Sequence, residues 1–85
     1  KEAARKRAAL EPLSKEIKAT EGLIDRTRKR IEAIEARLAD TSLYDKEPEK
    51  VSSLAKERSD LADMLSKHED RWLTLSTEYE EEMAS

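Results

Sequence analysis

The sequence predicts an all-α fold, a two-helix antiparallel coiled-coil hairpin, and three observations carry that prediction. Apolar residues recur at alternating spacings of three and four along two long segments, the stripe a helix buries against a single partner. The phase of the repeat breaks once, beside a proline. The composition suits long helices: Ala, Glu, Lys, Leu and Arg dominate, charged residues are 44% of the chain, and there is one Gly and no Phe. With 36% apolar residues and 4% aromatics, 85 residues have little material for a compact core but enough for a narrow seam.

Taken in chain order, residues 1–11 precede Pro12, which kinks a helix or marks its true start. They are expected to form an N-terminal linker or helical turn. Helix 1 follows over residues 12–39, with a seam of Leu10, Leu13, Ile17, Thr20, Ile24, Thr27, Ile31, Ile34 and Leu38. Gly22 is its weak point, costing about 1 kcal/mol relative to Ala in an exposed helix interior.

A turn is expected over residues 40–47. Leu38 and Val51 stand 13 residues apart, where an unbroken heptad repeat needs 14. Asp40, Thr41 and Ser42 favour turns and caps, and Pro48 suits the first turn of a new helix. A connection this short makes the two helices antiparallel neighbours. Leu43 and Tyr44 are expected to fold back over the end of the seam.

Helix 2 is placed over residues 48–83, about 54 Å long at 1.5 Å per residue. Its seam runs Val51, Leu54, Arg58, Leu61, Leu65, His68, Trp72, Leu75, Tyr79 and Glu82. Folding at the turn sets Leu38 against Val51, Ile31 against Arg58, Ile24 against Leu65, Ile17 against Trp72 and Leu10 against Tyr79. Thr20 falls beside His68, so two polar residues share a layer, which costs stability but penalises slipped registers.

Little in the chain suggests catalysis. His68 is the only histidine and Cys is absent, so the three or four convergent ligands of a zinc site are missing, and His68 reads as a polar seam residue. Trp72 reads as a core anchor rather than a base-stacking platform. There is no Gly-rich phosphate loop and no nucleophile elbow. The absence of Cys favours a cytosolic setting, and no apolar stretch approaches the ~20 residues that span a bilayer. Beginning at Lys1 rather than Met, the chain is expected to be a piece of a longer protein.

The charge pattern is the most informative functional signal. The net charge of −3 divides unevenly: residues 1–38 carry 11 Lys/Arg against 7 Asp/Glu (+4), and residues 39–85 carry 6 against 13 (−7). Lys15, Lys18, Arg26 and Lys29 occupy outward positions of helix 1, Arg28 and Arg30 flank its seam, and Arg5, Lys6 and Arg7 extend the charge past Pro12. Such a stripe can follow a phosphate backbone through counterion release, with little base specificity. Glu11 and Asp25 on the same face, and Glu80, Glu81 and Glu82 at the end of helix 2, oppose it. On composition alone a merely solvated helix face is the better reading of the stripe. Leu23, Met64 and Leu73 lie off the seam and offer a protein-directed alternative: docking onto a parent protein, or self-association.

Two motifs add a resemblance. The turn reads Leu38-Ala-Asp-Thr-Ser-Leu-Tyr-Asp45, followed by Pro48-Glu-Lys-Val51, and Arg71-Trp72-Leu73 lies late in helix 2. Together with the Pro12-Leu-Ser-Lys-Glu-Ile17 start, they resemble the C-terminal coiled-coil domain of ABC-F ATPases of the Uup and YheS types. The resemblance implies a soluble cytoplasmic parent with two tandem ATP-binding cassettes, binding ATP and Mg there and acting in translation by contact with ribosomes. The Uup-type domain further implies DNA binding. The 85 residues themselves then need no cofactor and are expected to be monomeric and non-enzymatic, a nucleic-acid or ribosome-contacting arm. Leu43, Tyr44 and Trp72 carry over as structural residues, and only the basic residues named above can be nominated for contact.

Overall fold

The computed structural model describes all of residues 1–85, in four helices and no strands: α1 (Glu2–Ala9), α2 (Glu11–Leu38), α3 (Thr41–Lys46) and α4 (Pro48–Ala84). The chain doubles back through α3, so that α2 packs along α4 in an elongated hairpin of 65 × 15 × 14 Å.

The expected N-terminal linker or helical turn is the two-turn helix α1. Leu10, with φ −92° and ψ 2°, separates it from α2. Pro12 is the cause: it has no N–H to give the carbonyl of Ala8, and its ring crowds that same carbonyl. The connection at 40–47 is also more ordered than a simple turn. Asp40 caps the N-terminus of α3, its Oδ1 accepting from Ser42 N–H at 3.0 Å and Ser42 Oγ at 2.8 Å. These two bonds hold the Asp40 carboxyl below its ordinary value of 3.8. Helix α4 then begins with Pro48 in its first turn, where the missing N–H has no helical partner to lose.

Packing is densest beside this turn. Ile34 is fully buried and meets Leu43 and Leu54, so α2, α3 and α4 each contribute one side chain to the cluster. Leu38, Val51 and Leu61 complete it. Leu43 thus closes the seam as its position implies. Tyr44 does not: it is 49% exposed, because within α3 the residue after Leu43 is turned about 100° away from it.

Along the rod, Thr20, Ile24, Thr27 and Leu75 are buried, and Leu10, Leu13, Ile17, Ile31, Leu65, His68, Trp72 and Tyr79 are half-buried. The polar layer is satisfied differently from a cross-helix pair. Thr20 Oγ1 donates to the Glu16 carbonyl at 2.8 Å, and Thr27 Oγ1 to the Leu23 carbonyl at 2.7 Å, each inside its own helix. Arg58, expected opposite Ile31, leaves the seam: it is exposed and its guanidinium reaches Glu35 of α2 at 3.3 Å. At the far end Glu82 is exposed and Met83 is the half-buried residue instead. Met83 lies one helical turn, four residues, beyond Tyr79, and it supplies the apolar surface that Glu82 lacks.

Candidate nucleic-acid interface

The nine cations nominated from the sequence divide into two groups. Arg28, Lys29 and Arg30 are held in ion pairs. Arg30 forks onto Glu57 of α4, with Nη2 at 2.8 Å from Oε1 and 3.1 Å from Oε2, and Nε at 3.0 Å from Oε1. Arg28 reaches Glu69 of α4 at 2.7 Å, and Lys29 reaches Asp25, one turn back on α2, at 3.0 Å. Arg28 and Arg30 therefore bridge the two helices. Glu57 and Glu69 are the partners sequence reading missed, although the hairpin register already sets Glu57 close beside Arg30.

Arg5, Lys6, Arg7, Lys15, Lys18 and Arg26 make no ion pair. All but the half-buried Lys6 are exposed. Lys6 and Arg7 fall in the last turn of α1, where the aligned backbone carbonyls favour positive charge. Arg26 lies back over Gly22: a Cβ at Gly22 would stand 3.4 Å from Arg26 Nη1. The six free cations thus occupy the open end of the hairpin, from α1 to the middle of α2.

The same end of α4 is acidic. Glu78, Glu80, Glu81 and Glu82 are exposed and form no ion pair. Lys18 and Glu80 line one shallow groove between the helices, with Ser14, Ile17, Ser76 and Tyr79. A polyanion approaching over that groove meets carboxylates, whereas one approaching the outer face of α1 and α2 meets the free cations first.

Trp72 is not a fully buried anchor. It is half-buried, and its indole Nε1 donates to Glu21 Oε2 of α2 at 3.0 Å. It walls an open cleft of about 420 Å³ with Glu21, Ile24, Asp25, Arg28 and Glu69. Every charged group in that wall has a partner: Glu21 the indole, Asp25 Lys29, and Glu69 Arg28. The cleft is a side effect of cross-helix bridging. No group of three or more His, Asp or Glu side chains gathers as a metal ligand set.

A charged rod of two long helices closed by a short helical cap defines a helical-hairpin domain. A family model described as ABC transporter C-terminal domain matches residues 8–77. The chain belongs to that family, which is the placement the turn motif and Trp72 suggested and makes it an accessory domain of an ABC protein. No curated protein and no solved structure matches the chain. No helix is long and apolar enough to cross a membrane.

Proposed function

We propose that this hairpin is a nucleic-acid-contacting arm of an ABC-F ATPase, working on the ribosome and binding through the outer face of α1 and α2. The observation that carries this reading is the division among the cations. Six of the nine nominated residues are left without a carboxylate partner and lie between α1 and the middle of α2. Solvent-exposed ion pairs are worth about 1 kcal/mol or less, so their formation at Arg28, Lys29 and Arg30 reflects available partners. The remaining cations have none within the hairpin and are free for phosphates.

ATP and Mg belong in this proposal to cassettes elsewhere in the parent, which perform the hydrolysis in the cytoplasm. The hairpin supplies reach and charge, and its contacts are with backbone phosphates rather than base edges. Ribosomal RNA suits it better than free duplex DNA, because a mixed RNA and protein surface accommodates the acidic end of α4. A titration of the chain with ribosomes, ribosomal RNA and duplex DNA at several salt concentrations tests the reading. Binding that weakens steeply with salt and favours ribosomes supports it; absence of binding to all three at low salt rejects it.

A further inference from the structure

The geometry points to a second surface, on the flank of the hairpin that carries Leu23 and Met64, built to pair with a second copy of this chain. It goes beyond the phosphate-binding reading and does not depend on it. Both residues are exposed, Leu23 at 39% and Met64 at 47%. Two cross-helix ion pairs bracket them, Glu16–Arg71 at 3.6 Å and Arg30–Glu57 at 2.8 Å. Leu23 is seven residues from Glu16 and seven from Arg30, and Met64 is seven from Glu57 and seven from Arg71. Leu23 and Met64 are therefore at equivalent levels on facing helices, an apolar window with a charge pair about 10 Å away on each side.

The signs of those charges make the flank complementary to itself. Along α2 the order is Glu16, Leu23, Arg30; along α4 at the same levels it is Arg71, Met64, Glu57. Two hairpins laid flank to flank and pointing in opposite directions, related by a two-fold axis through the apolar window, bring Leu23 onto Leu23 and Met64 onto Met64. Glu16 of one copy then faces Arg30 of the other, and Arg71 faces Glu57. One heptad further out, Lys50 near the turn faces Glu78 of the second copy. Hairpins pointing the same way match the inner charges equally well, but they set Arg37 and Lys50 of one copy against Lys50 and Arg37 of the other. That outermost repulsion selects the antiparallel arrangement. A partner with no such alternation of sign fits the window but not its borders, so the occupant is a second copy.

Sedimentation equilibrium of the 85-residue chain from micromolar to millimolar concentration, with far-UV circular dichroism as the fold control, tests this. The expected result is a concentration-dependent rise from monomer to dimer mass. The double variant Glu16→Arg with Arg71→Glu keeps its ion pair within the hairpin but sets like charges against Arg30 and Glu57 of the other copy. It is expected to remain helical and to dimerise about tenfold or more weakly. Adding Arg30→Glu and Glu57→Arg to it restores complementarity and is expected to restore the dimer. Two outcomes overturn the proposal: a wild-type chain that stays monomeric at millimolar concentration, or a double variant that dimerises as well as the wild type. The second outcome also identifies the parallel arrangement, whose inner charges the swap leaves matched.

Discussion

Neutralising the free cations and the paired cations separately gives opposite forecasts for two equally basic sets of three. One variant replaces Lys15, Lys18 and Arg26 with Gln, and the other replaces Arg28, Lys29 and Arg30. From residue 15 to residue 26 the helix rises about 16 Å, a span over which duplex nucleic acid presents about ten phosphate charges. The number of available cations, not of phosphates, therefore limits the contact. Each neutralised phosphate contributes about −0.9 to the slope of log K against log salt on a duplex, so losing the free set flattens the slope by about 2.7. The paired set must first leave Asp25, Glu57 and Glu69, and whatever it gains from phosphate is offset by those exposed carboxylates. Its removal is expected to change the slope by less than about 1. Fluorescence anisotropy with a labelled RNA duplex at four or more salt concentrations reads both slopes. Equal changes in the two variants, or none in either, refute the division of cations on which the reading depends.

Three further outcomes follow from the structure. Ile34→Ala removes three carbons from a fully buried site where three helices meet and is expected to cost about 3 kcal/mol, against about 1 kcal/mol for Ile17→Ala at the half-buried open end; urea unfolding followed at 222 nm compares them. Asp40 titrates below its ordinary value of 3.8 in the folded chain, so its stabilising contribution is complete above that value and disappears as pH falls through the lowered native one. The difference in melting temperature between wild type and Asp40→Ala is thus expected to be constant near neutral pH and to close on acidification below about pH 4. Replacing Glu80, Glu81 and Glu82 with Gln removes repulsion near the free cations and is expected to tighten RNA binding at low salt, with the gain fading as salt shortens the screening length; unchanged affinity at low salt would show that the acidic end lies out of range.

Most of the fold could be read from the sequence because the heptad repeat and burial are the same physical fact seen twice. Residues that recur at three and four must share a face, and a face of Leu and Ile must be covered. The single missing residue in the repeat, with Pro48 beside it, then located the reversal. What could not be read depends on side chains meeting across the hairpin or within one turn. Thr-Ser-Leu-Tyr-Asp-Lys is too short for periodicity to show, so α3 emerges only from the Asp40 cap and the burial of Leu43. The loss of Arg28 and Arg30 from the candidate site required knowing which carboxylate each guanidinium reaches. The hairpin register sets Glu57 near Arg30, 27 residues away, but does not reveal that Arg28 reaches Glu69, 41 residues away.

That partition bears on how such an arm works. The fully buried Ile34 and its partners gather beside α3, and the six unpaired cations nominated from the sequence lie toward the opposite end, where Leu10, Leu13, Ile17 and Tyr79 are only half-covered and Leu10 interrupts the helix. Local opening is least costly where few apolar contacts must be broken, so the cationic end is the part that adjusts first. Pro12, which breaks the hydrogen-bond ladder between α1 and α2, sets Arg5, Lys6 and Arg7 on a separate helix from Lys15, Lys18 and Arg26. Stability at the turn and compliance at the open end are complementary consequences of where one seam is well filled and where it is not.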